Sequence, residues 1–155
     1  MKYVIIGNSY AGIGAVESIR ETDEEGEIIV ISEEPYRAYA RPLISYFLAG
    51  RVKARDMYYR DADFYRKNSV TLLLGEKAAR VDTKEQAVYL ENGAILDYDR
   101  LLISSGGRPP VYQVRGIDAK NIFCFTRWDD AKKLREAARK KKKAVVLGGG
   151  LIGLK

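Results

Sequence analysis

The residues of this chain best suited to chemistry are glycines rather than acids, bases or nucleophiles. An apolar run, KYVII at 2–6, leads into GNSYAG, which puts Gly7 and Gly12 in the first and third glycine positions of a strand-to-helix turn, with Ser9 between them. Gly7 permits the tight bend and Gly12 the close packing of helix on strand. The free backbone N–H groups at the helix start, across Ser9, Tyr10 and Ala11, are placed to meet the pyrophosphate of a dinucleotide. Ser9 narrows the backbone approach to the phosphates but brings a hydroxyl donor. Glu33 stands 21 residues beyond Gly12, at the end of the apolar run EIIVIS at 27–32, where an acid accepts hydrogen bonds from an adenosine ribose. Near the other end, KAVVL runs into GGGLIG, with Gly148, Gly150 and Gly153 in the three glycine positions. A Gly-rich turn also occurs without a ligand, and Glu33 alone reads as a solvated strand-end carboxylate. Turn, spacing and second turn together select ligand binding. Two such turns imply two dinucleotides brought together, an arrangement for passing hydride between them.

Other chemistries are poorly supplied. The 155 residues contain no His, removing the commonest general base and metal ligand, and one cysteine, Cys124, which excludes a disulfide framework, a CxxC pair and a Cys-rich metal site. No catalytic side chain and no metal site can be named, so the chemistry is a cofactor's. Cys124 lies in IFCF at 122–125 and reads as a small buried hydrophobe in a strand. The net charge of +6 owes much to the run Arg139 to Lys143. Cations there complement the negative end of a helix, and no aromatic residues interleave them as a nucleic-acid platform would require. Polyanion binding remains a minor alternative. No apolar run approaches the roughly 18 residues of a membrane span, and no signal sequence opens the chain, which reads as cytoplasmic.

A chain of this length suits one core, burying about 68–70% of its unfolded surface. Strands are expected at 2–6, 27–32, 70–74, 101–104, 122–125 and 144–147, and helices at 11–20, 61–67 and 129–142, with Ala11 and Ala15 on the side of the first helix that approaches the sheet. Residues 35–50, aromatic and irregular, read as a covering segment. The runs AARVD, AVYLE and AILDY, with Asn92 and Gly93 at the second turn, read as a small antiparallel meander inserted in a parallel α/β design.

GNSYAG, the acid in ISEEP, YARPLIS, YDRLLISSGGRP and VVLGGGLIG occur in an order that resembles the FAD-dependent, NAD(P)H-using pyridine nucleotide oxidoreductases across essentially the whole chain. Within them the chain is most similar to the branch of rubredoxin and ferredoxin reductases and the flavin module of NADH-dependent nitrite reductase. The resemblance implies a Rossmann-like FAD-binding domain over 1–116, a connector over 117–143, and over 144–155 the first strand and Gly-rich turn of an NAD(P)-binding unit that is cut off there. It implies that Gly7 and Ser9 to Gly12 hold the pyrophosphate, Glu33 and Glu34 the ribose, and Arg41 and Pro42 the flavin side. Val81 would make an adenine-side backbone contact, Ser105 and Gly106 would form the turn near the cofactor, and Gly148, Gly150 and Gly153 would serve NAD(P)H. Arg41 alone also reads as a surface arginine in a polar loop. The covering segment ARPLIS lacks the cysteine of the thiol-using branches, and Lys155 stands where the family has a flavin-directed Glu.

The implied activity is transfer of electrons from NAD(P)H through FAD to a rubredoxin, ferredoxin or nitrite reductase-like centre, with no nucleic acid or membrane partner and with homo-oligomerisation open. A non-catalytic nucleotide-binding fragment or split subunit is the alternative.

Overall fold

The computed structural model describes residues 1–109, 115–117, 119, 121–139, 143–150 and 153. In chain order the elements are β1 (Lys2–Ile6), α1 (Tyr10–Thr22), β2 (Glu27–Ser32), α2 (Ile44–Leu48), α3 (Phe64–Lys67) and β3 (Val70–Leu74), followed by β4 (Ala78–Asp82), β5 (Ala87–Leu90), β6 (Ile95–Asp97), β7 (Arg100–Ile103) and α4 (Trp128–Ala138). Two compact units divide the chain, Met1–Tyr39 with Tyr58–Gly107, and Ala40–Met57 with Arg108–Lys155.

In the first unit the β-branched runs of β1 and β2 form the middle of a parallel sheet of order β3-β2-β1-β7, with Val4 opposite Ile29 and Ile5 opposite Val30. Near-continuous apolar strands are what a parallel sheet covered on both faces demands. Alternation then sorts them. Ile5, Ile28 and Val30 pack with Ile13 and Val16 of α1 and with Phe64 and Tyr65 of α3. Val4, Ile29 and Ile31 face the opposite way and pack with Val88 and Leu90 of the antiparallel meander β4-β5-β6. Val4, Ile5, Ile28 and Val30 are at most 1% exposed. Each such burial contributes roughly 1.5–3 kcal/mol. The parallel sheet, the inserted meander and the return of the chain to the sheet through β7 beside β1 all follow the sequence reading. At the turn after β5, Gly93 has φ +90° and the Asn92 side chain accepts the Ala94 N–H at 2.8 Å.

The helix face that meets the sheet differs from expectation. Gly12, Ile13 and Val16 are the buried residues of α1, and Ala15 packs against the same core as expected, whereas Ala11 is exposed, because the close approach happens where there is no Cβ at all. The helix expected over 61–67 is only α3, its Asp63 paired with Lys67 at 2.8 Å.

In the second unit a 3-10 turn, Arg41–Leu43, with Pro42 in its first positions, runs directly into α2, so part of the covering segment is helical. Phe47 of α2 meets Trp128 of α4 edge to face, with ring centroids 5.8 Å apart. The Asp130 carboxylate accepts the backbone N–H groups of Thr126 and Arg127 at 3.0 and 2.8 Å. That cap explains one correction. Residues 122–125 form no strand, and Cys124 is exposed rather than buried, because the chain here is drawn into the start of α4 instead of a ladder. Residues 144–147 form no strand either, and Val145, Val146 and Leu147 are 90%, 64% and 74% exposed. An isolated apolar strand has no ladder to join, and among the described residues none is offered to it. The helix expected over 129–142 is α4, which ends at Ala138 with Arg139 as its C-cap, and residues 140–142 lie outside the described residues.

Among the described residues no helix is long and apolar enough to cross a membrane.

Candidate functional site

Between β1 and β7 the order of strands reverses direction, and the carboxyl end of β1 opens at that switch point, where α/β sheets bind their ligands. Gly7 lies there. Its φ is +120°, its N–H donates to the Ile31 carbonyl at 2.9 Å, and a Cβ would lie 2.2 Å from the Ser104 carbonyl oxygen at the end of β7. Only glycine fits. A Cβ on Gly12 would lie 2.1 Å from the Gly7 carbonyl oxygen, so the two glycines together allow the helix to start against the strand end. Ser9 is the extended N-cap of α1, its side chain makes no capping hydrogen bond, and the first turn carries no acidic residue. The helix therefore presents its N-terminal N–H groups and positive dipole end without an internal anion to occupy them. Tyr10 and Ala11 are exposed, which keeps this end open to a ligand.

The turn is held from three sides. The Ser104 hydroxyl donates within 3.2 Å of the Ile6 carbonyl. The Asn8 side-chain amide donates to the Tyr36 carbonyl at 3.3 Å, and its oxygen accepts the Tyr65 hydroxyl at 2.7 Å. Tyr65 in turn accepts the Ala38 N–H at 3.0 Å. Burial raises the pKa of Tyr65 above the ordinary tyrosine value, so it stays a neutral donor here. Asn8, Tyr65 and Ser104 were not singled out from sequence; their partners lie 57 and 98 residues away in the chain, and no local signal marks such pairs.

Glu33 directly follows β2 and is exposed at the same carboxyl edge. Glu34 points differently, its carboxylate accepting the Tyr39 hydroxyl at 2.7 Å. Ser105 is exposed, and Gly106 has φ +72° just after β7. Val81 sits in the outer meander strand β4, opposite Val88, with its side chain against the core. The first unit thus brings Gly7, Ser9, Tyr10, Ala11, Gly12 and Glu33 to the carboxyl edge of the sheet.

The second unit holds the rest. Arg41 is half-buried and its Nη1 donates to the Thr126 carbonyl at 3.1 Å, while Pro42 is exposed. Gly148 has φ +117°, and a Cβ on Gly153 would lie 2.1 Å from the Gly148 carbonyl oxygen, the same local relation that joins Gly7 and Gly12. A Cβ on Gly150 would meet nothing within 4 Å among the described residues.

Two observations test the fit of a dinucleotide to the first turn. The N-terminus of α1 has no side-chain cap and no acidic residue in its first turn, and Arg37, whose neighbours Tyr36 and Ala38 are tied to Asn8 of the turn, carries a buried Nη1 without a hydrogen-bond partner among the described residues. Both fit a bound anion, and the residues present suit the adenosine-diphosphate half of FAD. Among the described residues no group of three or more His, Cys, Asp or Glu is placed to hold a metal.

Known proteins share this sequence pattern and fold. The chain is 34% identical over 152 residues to the nitrite reductase [NAD(P)H] of Bacillus subtilis, covering 97% of this chain and 19% of that one. It is 32% identical over 152 residues to the 3-phenylpropionate/cinnamic acid dioxygenase ferredoxin–NAD(+) reductase component of Photorhabdus laumondii, covering 98% of this chain and 39% of the other. The crystal structure of NADH:rubredoxin oxidoreductase from Clostridium acetobutylicum superposes with a TM-score of 0.89 at 30% identity, over 98% of this chain and 39% of that one. The chain thus spans from about a fifth to about two fifths of the length of these relatives. Proteins of this kind use FAD and NAD(P)H. With the family model for pyridine nucleotide-disulphide oxidoreductases matching residues 1–155, from the first Gly-rich turn through the second, the chain belongs to that family.

Proposed function

We propose that this chain is the FAD-binding part of an NAD(P)H-dependent flavin oxidoreductase that passes electrons to a redox protein or an attached reductase centre. The observation that carries the reading is the Gly7–Gly12 turn at the sheet's switch point, followed by Glu33 at the end of β2. Residues 1–116 are the FAD-binding domain, 117–143 the connector, and 144–155 the start of an NAD(P)-binding unit. When bound, FAD supplies the two-electron chemistry that no side chain of this protein offers.

The protein's own work is binding and orientation. Gly7, Ser9, Tyr10, Ala11 and Gly12 receive the pyrophosphate on backbone N–H groups, and Glu33, with Glu34 beside it, takes the ribose hydroxyls. Arg41 and Pro42 lie along the flavin, Val81 on the adenine side, and Ser105 and Gly106 in the turn beside the cofactor. Gly148, Gly150 and Gly153 serve NAD(P)H. A fixed cation at Arg41 would offset negative charge on the flavin when that group is bound. The relatives named for ferredoxin, rubredoxin and nitrite support a partner of that class. The reading sets the protein in the cytoplasm and calls on neither nucleic acid nor a membrane surface. A homo-oligomer is compatible with this.

Glu33 provides the test. A hydrogen bond to a charged group contributes about 1.5–3 kcal/mol, so Glu33→Ala is expected to weaken FAD binding by roughly 10- to 150-fold with the fold intact. Fluorescence titration with FAD measures it. An unchanged dissociation constant would remove Glu33 from the ribose site.

A further inference from the structure

We propose that Arg37 is a further binding residue for the pyrophosphate of the dinucleotide, a role that rests on the FAD reading above. Both of its chain neighbours are fastened to the first Gly-rich turn. The Tyr36 carbonyl accepts the Asn8 side-chain amide at 3.3 Å, and the Ala38 N–H donates at 3.0 Å to the Tyr65 hydroxyl, which itself donates to Asn8 at 2.7 Å. Arg37 is therefore anchored, on both sides, to the second residue of the turn.

The face and the edge of its guanidinium are treated differently. The face lies over the Tyr58 ring, 4.3 Å from the centroid, a cation–π contact that uses the π surface of the group. Nη1 at the edge is buried and has no hydrogen-bond partner among the described residues. A stacked ring does not satisfy in-plane N–H donors, and a buried charged donor without an acceptor is costly to keep. Neither a carboxylate nor a backbone carbonyl of the described residues fills the place. The Arg37 charge also acts on the Tyr65 hydroxyl, lowering its pKa against the larger rise due to burial, so the cation reaches the group that clamps Asn8.

An oxyanion completes such an edge with short, charge-assisted bonds. The N-terminus of α1, which begins two residues after Asn8, carries no acidic residue in its first turn. Of the parts of a dinucleotide, only the pyrophosphate is an anion, and the Gly-rich turn is where it is received. Arg37 is tied to this turn through Asn8, in chain terms four residues before Arg41, which serves the flavin side.

The test compares FAD titrations of the unaltered chain, Arg37→Met and Arg37→Lys, with thermal unfolding of each protein free of FAD. Arg37→Met keeps an apolar stem against Tyr58 and is expected to weaken FAD binding by about 10- to 150-fold, while the FAD-free protein stays as stable as the parent or becomes more so. Arg37→Lys keeps the charge but loses the planar fork and is expected to fall between the two. The FAD affinity of the parent should also decline more steeply with added salt than that of Arg37→Met. Equal FAD dissociation constants in all three proteins would overturn the proposal while leaving the FAD site itself intact. So would a loss of affinity matched by a loss of FAD-free stability, or Arg37→Lys binding as weakly as Arg37→Met, for then stacking alone is at work. Should Arg37→Met fail to fold, Arg37→Lys and the salt dependence decide the matter. If the unaltered chain binds no FAD, the proposal falls together with the reading beneath it.

Discussion

The two Gly-rich turns are nearly the same object locally and quite different objects structurally. Gly7 and Gly148 have φ of +120° and +117°, and a Cβ on Gly12 or on Gly153 would come 2.1 Å from the carbonyl oxygen of the glycine five residues earlier. Yet Val4 before the first turn is fully buried in a four-stranded sheet, while Val145 before the second is 90% exposed and in no strand. The lesson is that a backbone bend forced by glycine is encoded within six residues, whereas a strand exists only where neighbouring chain completes its hydrogen bonds and covers its faces.

The largest expected effect comes from pressing on that local identity. Gly12→Ala puts a Cβ onto a backbone oxygen inside the core of the first unit, which should cost about 3 kcal/mol or more in guanidinium denaturation. Gly153→Ala meets the same collision at an exposed position and should change global stability by less than about 0.5 kcal/mol. Equal losses would show the second turn to be as firmly built in as the first. Side chains ahead of the turns sharpen the contrast. Val4→Ala removes two fully buried methyl groups and is expected to cost about 2 kcal/mol, while Val145→Ala should be near neutral, both read from the same denaturation curves.

Much of the first unit was legible because its signals are short in sequence. Gly7 and Gly12 mark the bend, Glu33 ends β2 at the expected spacing, and the alternating runs of the meander carry their own turn at Asn92 and Gly93. What was not legible depends on distant partners. Nothing near Ser104 says that it will hold the Ile6 carbonyl, and nothing near Tyr65 says that it will clamp Asn8. The run IFCF has the composition of a strand but is drawn into the cap made by Asp130, leaving Cys124 exposed. Ala11 looked suited to helix–sheet contact by size, and Gly12 took that place because the required approach is closer than any Cβ allows.

A smaller effect belongs to the first unit. The Asp23 carboxylate accepts the Gly26 N–H at 2.7 Å and the Tyr3 hydroxyl at 3.0 Å, and these bonds, the Gly26 one foremost, hold its pKa below the ordinary 3.8. A folded-state pKa lower than the unfolded one stabilises the fold above the unfolded value and ceases to do so as pH falls through the folded value. The first unit should therefore lose stability below about pH 4, and Asp23→Asn should flatten part of that acid slope in pH-dependent thermal unfolding. An unchanged slope would assign acid sensitivity to Asp63, Asp82 and Asp97, which are also held low by their hydrogen bonds.

The most direct measurement is the identity of the flavin this chain selects. Protein incubated with equal amounts of FAD and FMN, desalted and then denatured, would release its ligand for mass spectrometry. FAD alone is expected, because the site proposed at Gly7, Gly12 and Glu33 takes an adenosine diphosphate, which FMN does not possess. Release of FMN, or of no nucleotide at all, would contradict the assignment of the first Gly-rich turn as the FAD site.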